Sequence, residues 1–126
     1  METQEKLKVG IGEKEVETLK PAKVKVEDIK ITPVTFGSKI NEKVVLVVKH
    51  PDRDEAIQIS SVKVLKKDKV VVSGLWFYLD EDEKIRKNSV LALFLNFAGV
   101  SNLEELKGKE FETVTDEEGY LVVKAF

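Results

Sequence analysis

Turn formers and charged clusters cut this chain into apolar runs too short for anything but strands, with one exception. Val44-Val45-Leu46-Val47-Val48 is continuous and mostly β-branched, and it is stopped by Lys49-His50-Pro51. It reads as a strand buried on both faces. Elsewhere apolar and polar residues alternate: Leu7, Val9 and Ile11 before Gly12, then Val24 and Val26 against Lys23 and Lys25. Ile29 and Ile31, Ile57 and Ile59, and Val62 and Val64 continue the pattern. Alternation of this kind puts one face of each strand on a core. The period slips by one residue at Glu27-Asp28 and again at Ser60-Ser61, and a β-bulge accounts for each slip. The stretch 70–79 reads as a long strand with apolar residues on both faces. Composition marks a loop at Phe36-Gly37-Ser38-Lys39 with Asn41, and turns at His50-Pro51-Asp52-Arg53-Asp54, at Lys66-Lys67-Asp68-Lys69 and at Asp80-Glu81-Asp82-Glu83.

The exception is Val90-Leu91-Ala92-Leu93-Phe94-Leu95-Asn96-Phe97-Ala98, which predicts a helix. Asn88 or Ser89 can accept the unpaired amides at its start, and Gly99 can take the left-handed position at its end. Ser101 with Glu104 forms a capping box for one further turn, ended by Gly108. Strands over 109–115 and 120–126 follow, joined by Asp116-Glu117-Glu118-Gly119. The helix is apolar around its whole circumference, whereas a surface helix keeps a polar face. Cover from residues 1–20 or from a second copy in a homodimer is therefore expected.

The element order thus places one α-helix before the last two strands, after a first main strand that is bulged. That order predicts a mainly β fold resembling the OB-like Greek-key barrel. An open antiparallel sheet or a small sandwich with one packed helix is the alternative. At 126 residues the chain suits a single β-rich domain, 21–126, preceded by an N-terminal arm or edge strand, 1–20.

Composition narrows the setting. The chain has no Cys, which removes disulfides and thiolate metal sites and fits a reducing, cytoplasmic compartment. The polar start, Met1-Glu2-Thr3-Gln4-Glu5-Lys6, lacks the apolar core of a secretory signal. No apolar stretch approaches the ~20 residues that cross a bilayer, so no membrane partner is expected. Charged residues make up 35% of the chain, and Lys and Glu dominate them. The average is about 25%, and an excess of this kind is the trend of life at high temperature. The net charge of −2 hides a polarity: residues 21–75 carry eleven Lys/Arg against seven acids, and residues 76–126 six against eleven. A basic middle and an acidic end suit an anionic ligand or head-to-tail pairing.

Catalysis finds little support. His50 is the only His, it sits beside Pro51 in what reads as a solvated turn, and no nucleophile elbow G-x-S-x-G is present. Gly10-Ile11-Gly12 begins a phosphate-loop pattern, but Glu15 stands where the third glycine belongs. The acidic turn from Asp80 to Glu83 lacks the glycine and glutamate of a calcium loop, with Ile85 and Leu91 in their places. Asp52, Asp54 and Glu55 near His50 read as a solvated acidic turn. No catalytic residue, metal site or cofactor is expected.

Single-strand nucleic-acid binders combine a basic groove with aromatic platforms. Lys23, Lys25 and Lys30 lie on the polar face of the bulged strand, and Lys63, Lys66, Lys67 and Lys69 cluster at a later turn. Trp76 and Tyr78 share one face of their strand, while Leu75, Phe77 and Leu79 share the other. If the second set points inward, the two rings stand outside as a stacking platform. The expected function is single-stranded DNA or RNA binding through Lys23, Lys25, Lys30, Lys63, Lys66, Lys67, Trp76 and Tyr78. The alternative is a protein-interaction or structural subunit, a virion subunit among them, without catalytic activity.

The stretch from Ser89 to Phe126 is similar to small uncharacterised proteins of hyperthermophilic archaea and their viruses. The helix, Leu106-Lys107-Gly108-Lys109 and Gly119-Tyr120-Leu121 carry that resemblance. It implies an OB-like barrel and no catalytic residue.

Overall fold

The computed structural model describes residues 19–126, so the strand expected before Gly12 and most of the N-terminal arm lie outside the described residues. Seven strands form one sheet: β1 (Lys23–Phe36), β2 (Lys39–Lys49), β3 (Ile57–Ile59), β4 (Ser61–Lys66), β5 (Lys69–Gly74), β6 (Glu110–Thr115) and β7 (Leu121–Ala125). One helix, α1 (Val90–Ala98), and a 3-10 turn, Glu104–Leu106, stand between β5 and β6. The fold is mainly β with one helix before the last two strands. Among the described residues no helix is long and apolar enough to cross a membrane.

The strand order is β3-β2-β1-β6-β7-β4-β5, antiparallel except for the parallel pair β4 and β7. Ser60 alone separates β3 from β4 in the chain, yet those strands lie near opposite ends of that order. The sheet must curl to bring its ends together. It does not close into the barrel expected from the element order: β5 stops at Gly74, and the segment after it touches β2 only through an isolated bridge between Lys43 and Trp76. Two backbone hydrogen bonds secure this seam, from Val44 N–H to the Leu75 carbonyl at 2.7 Å and from Phe77 N–H to the Glu42 carbonyl at 2.9 Å. The fold is therefore the open sheet with one packed helix, made mixed by the parallel pair.

The slip at Glu27-Asp28 is a bulge: Val26 pairs with Val48 and Asp28 with Val47, leaving Glu27 over. The slip at Ser60-Ser61 is something else. There the chain leaves β2 and joins β5 and β7, because one residue of offset serves a change of partner as well as a bulge.

The core holds Val24, Val26, Val44, Leu46, Val48, Val62, Val64 and Leu75 from the strands, with Leu91, Phe94 and Leu95 of α1 seated over them. Phe94 and Phe111 rings meet at 5.1 Å. Ser89 caps the helix by accepting the Ala92 amide at 3.1 Å, and Gly99 ends it at φ 73°. Among the described residues α1 packs on β4 and β7, and the cover expected from residues 1–20 lies almost wholly outside the described residues. What stays outside is Asn96 and Phe97, the latter 48% exposed. The second cap falls one residue later than expected: Asn102, not Ser101, accepts the Glu105 amide.

His50 overturns its reading as a solvated turn residue. It is fully buried, its Nδ1 accepts the Asp52 amide at 3.0 Å, and its Nε2 meets the Lys20 carbonyl at 2.8 Å. Since Nδ1 is an acceptor, Nε2 carries the proton and donates it to Lys20. The ring ties the chain before β1 to the β2–β3 turn.

Candidate nucleic-acid interface

Leu75 settles which way the segment after β5 faces. It is fully buried and Phe77 packs against the same core, so Trp76 and Tyr78 stand on the outer face. Leu79 departs from the pattern at 38% exposed, because the chain there enters a narrow hairpin closed by a Leu79–Ile85 bridge. Asp80 builds that turn by accepting the amides of Asp82 and Lys84 at 2.9 and 3.0 Å.

Trp76 is half-buried and Tyr78 is 38% exposed. Their ring planes lie within 16° of each other with centroids 6.4 Å apart. That distance is close to the two-residue rise of a strand, so the backbone itself sets the spacing. Phe36, at the end of β1, tilts against Trp76 at 5.4 Å. Each of the two rings also carries a cation over one face: Lys43 Nζ lies 5.2 Å from the Trp76 centroid, and the Arg86 guanidinium 5.9 Å from that of Tyr78. Arg86 is held there by its Nε, which donates to the Leu79 carbonyl at 3.1 Å, and by its amide, which donates to Tyr78.

A groove of about 1030 Å³ runs beside these rings, with Lys66, Arg86 and Lys87 but also Asp80, Glu81 and Asp82 among its lining. Its charge is mixed, unlike the uniformly basic track the sequence suggests.

Of the eight residues singled out in the sequence, Lys66, Trp76 and Tyr78 come together in this groove. Lys30 lies past the bulge, opposite Val45, on the face that Lys43 and Trp76 share. Lys23 and Lys25 stand opposite Glu112 and Glu110 of β6, which offsets their charge. Lys63 is half-buried on the outer face of β4, opposite Val72 and Lys124. Lys67 is in the β4–β5 turn at φ 49°, outside the groove lining.

Sequence reasoning missed Lys43, Arg86 and Phe36. Lys43 had a signal, since it precedes buried Val44 and so must face outward. Its partner Trp76 is reached only through the seam, which no local pattern encodes. No protein-family model, curated protein or solved structure matches the chain.

Proposed function

We propose that this chain binds single-stranded nucleic acid on the outer face of the seam, with Trp76 and Tyr78 as the surface on which bases stack. The pair of near-parallel, half-open rings carries this reading. Lys30, Lys43, Lys66 and Arg86 stand around it as phosphate partners, and sequence-tolerant stacking with a cationic surround is the usual chemistry of single-strand binders. Glu81 and Asp82 repel phosphate, so the strand runs over the Lys43 and Lys30 side and away from the acidic turn. The reading needs no cofactor and no catalytic step, and the only imidazole is occupied at both nitrogens by the backbone.

Trp76 is the only Trp, so its fluorescence reports the site directly. Adding oligo-dT or oligo-U at low salt should quench it saturably, and raising salt should reverse the binding. Trp76→Ala should cost about 1–3 kcal/mol of affinity. A fluorescence signal indifferent to both oligonucleotides at low salt rejects the reading.

A second reading, a structural or protein-interaction subunit, is favoured by one observation. The outer face of β4 and β5 leaves Leu65 51%, Val70 44% and Val72 44% exposed beside the strand that ends the sheet. An apolar end strand of this kind suits edge-to-edge pairing with a second copy, giving a homodimer. Sedimentation of wild-type protein and Val70→Lys decides this: a dimer that the substitution splits supports it, and a wild-type monomer removes it.

A further inference from the structure

The residue pair that bridges the seam also holds a cation in the place where a base would stack. Lys43 and Trp76 are direct antiparallel partners, so their side chains leave the sheet on the same side. The ammonium sits over the ring at 5.2 Å, and among the described residues no carboxylate comes within ion-pair distance of it. A cation held by a half-exposed aromatic face alone is held more weakly than one hydrogen-bonded to a phosphate.

Gly74 shows that the structure makes room for this arrangement. A Cβ there would lie 2.8 Å from Lys43 Cε and 3.1 Å from both Lys43 Nζ and Trp76 Nε1. Its backbone is not in the left-handed region that calls for glycine elsewhere in the chain. The missing side chain therefore serves the passage of the lysine stem across the indole. The stem is flexible and the residue only half-buried, so the ammonium can swing off the ring.

We propose that Lys43 is a displaceable cover on Trp76. An incoming base takes the ammonium's place on the indole, and the released ammonium bonds the phosphate attached to that base. This rests on the nucleic-acid reading and adds a requirement to it: the ligand must bring base and phosphate together. A free nucleoside would strip the cation from the ring without giving it a partner. A phosphate on an abasic strand would leave the ring uncovered. The exchange couples two contacts that are otherwise independent, and it makes Lys43 a binding residue whose loss is felt in the salt dependence.

The test compares wild-type protein with Lys43→Met, which keeps the apolar stem, and Lys43→Arg, which keeps the charge. Tryptophan quenching by oligo-dT is followed across a salt series, with thymidine and an abasic oligonucleotide as further probes. In Lys43→Met the slope of log affinity against log salt should fall by about 0.7, the value for one phosphate on a single strand. Lys43→Arg should restore it. Thymidine and the abasic strand should each bind wild-type protein far more weakly than oligo-dT. An unchanged slope in Lys43→Met, with binding intact, overturns the exchange and leaves the nucleic-acid reading standing. Failure of wild-type protein to bind oligo-dT at low salt overturns both.

Discussion

Thr113 and Ala22 exchange two hydrogen bonds through a single hydroxyl. Oγ1 of Thr113 accepts the Ala22 amide at 2.9 Å and donates to the Ala22 carbonyl at 2.7 Å. The side chain does what another backbone residue would do, and it carries the β1–β6 pairing one step past Lys23 and Glu112. Thr113 is buried, so water offers no ready substitute.

Thr113→Val keeps the shape of the side chain and leaves both Ala22 groups unpaired. The expected loss is about 1–3 kcal/mol of unfolding free energy, since orphaned polar groups bear their full desolvation penalty. Thr113→Ser retains the hydroxyl and should lose less. Urea denaturation of the three proteins measures the difference.

Leu75 and Trp76 are neighbours in the chain with opposite fates, and alanine substitutions should reveal it. Leu75→Ala empties a fully buried site and should cost about 2–5 kcal/mol. Trp76→Ala removes two ring contacts and a cation contact at a half-open site, and about 1–2 kcal/mol is expected. Equal losses in thermal melts would place the indole in the core and withdraw the stacking platform.

His50→Ala should cost about 2–4 kcal/mol, because it opens a buried cavity and strands the Asp52 amide and the Lys20 carbonyl together. A solvated turn histidine would give a change close to zero. Hydrogen exchange at the Asp52 amide provides a second readout, and it should speed up in the variant.

The β4–β5 turn is held by Lys67 and Asp68 at φ 49° and 65°. Two residues with positive φ in a two-residue loop form the turn that favours Asn-Gly. Replacing the pair by Lys67→Asn with Asp68→Gly relieves left-handed strain of about 1–2 kcal/mol per residue, offset in part by the entropy of the added glycine, and should therefore stabilise the protein. A rise in the denaturation midpoint without a change in slope confirms it.

The Lys/Glu excess predicts a melting temperature above about 80 °C. Among the described residues, however, ion pairing amounts to Lys107 with Asp28 at 3.7 Å, both half-exposed. Such a pair contributes about 0–1 kcal/mol. Screening that pair should therefore lower the melting temperature little, and any large fall in molar salt would point to the cross-strand charges of Lys23 with Glu112 and Lys25 with Glu110. Calorimetry across a salt series checks both statements.

The parts of this fold that were legible in the sequence are those whose causes are local. Val24 and Val26 against Lys23 and Lys25 announce a one-sided strand, and the missed beat at Glu27 announces its bulge. Ser89 and Gly99 mark the helix because capping is a matter of three or four residues. His50 departs from its turn reading because a turn composition speaks only of the chain nearby, while the buried ring bonds a carbonyl far back at Lys20. The Ser60 slip was misread for a related reason: the offset is visible and the new partner strand is not. In the candidate site, the shared face of Trp76 and Tyr78 follows from a period of two. Which face lies outside, and that Lys43 covers one ring, depend on how the sheet curls.

The position of β7 has a consequence for how the protein is made. Translation produces β4 and β5 well before β7, yet β7 lies between β6 and β4 in the finished sheet. Until it emerges, Val62 and Val64 on the emerging chain have no neighbour on that side. The parallel pairing cannot be rehearsed by a local hairpin, so it waits on distant sequence. A ribosome that stalls inside 109–120 therefore displays a half-built sheet with its apolar middle open to aggregation.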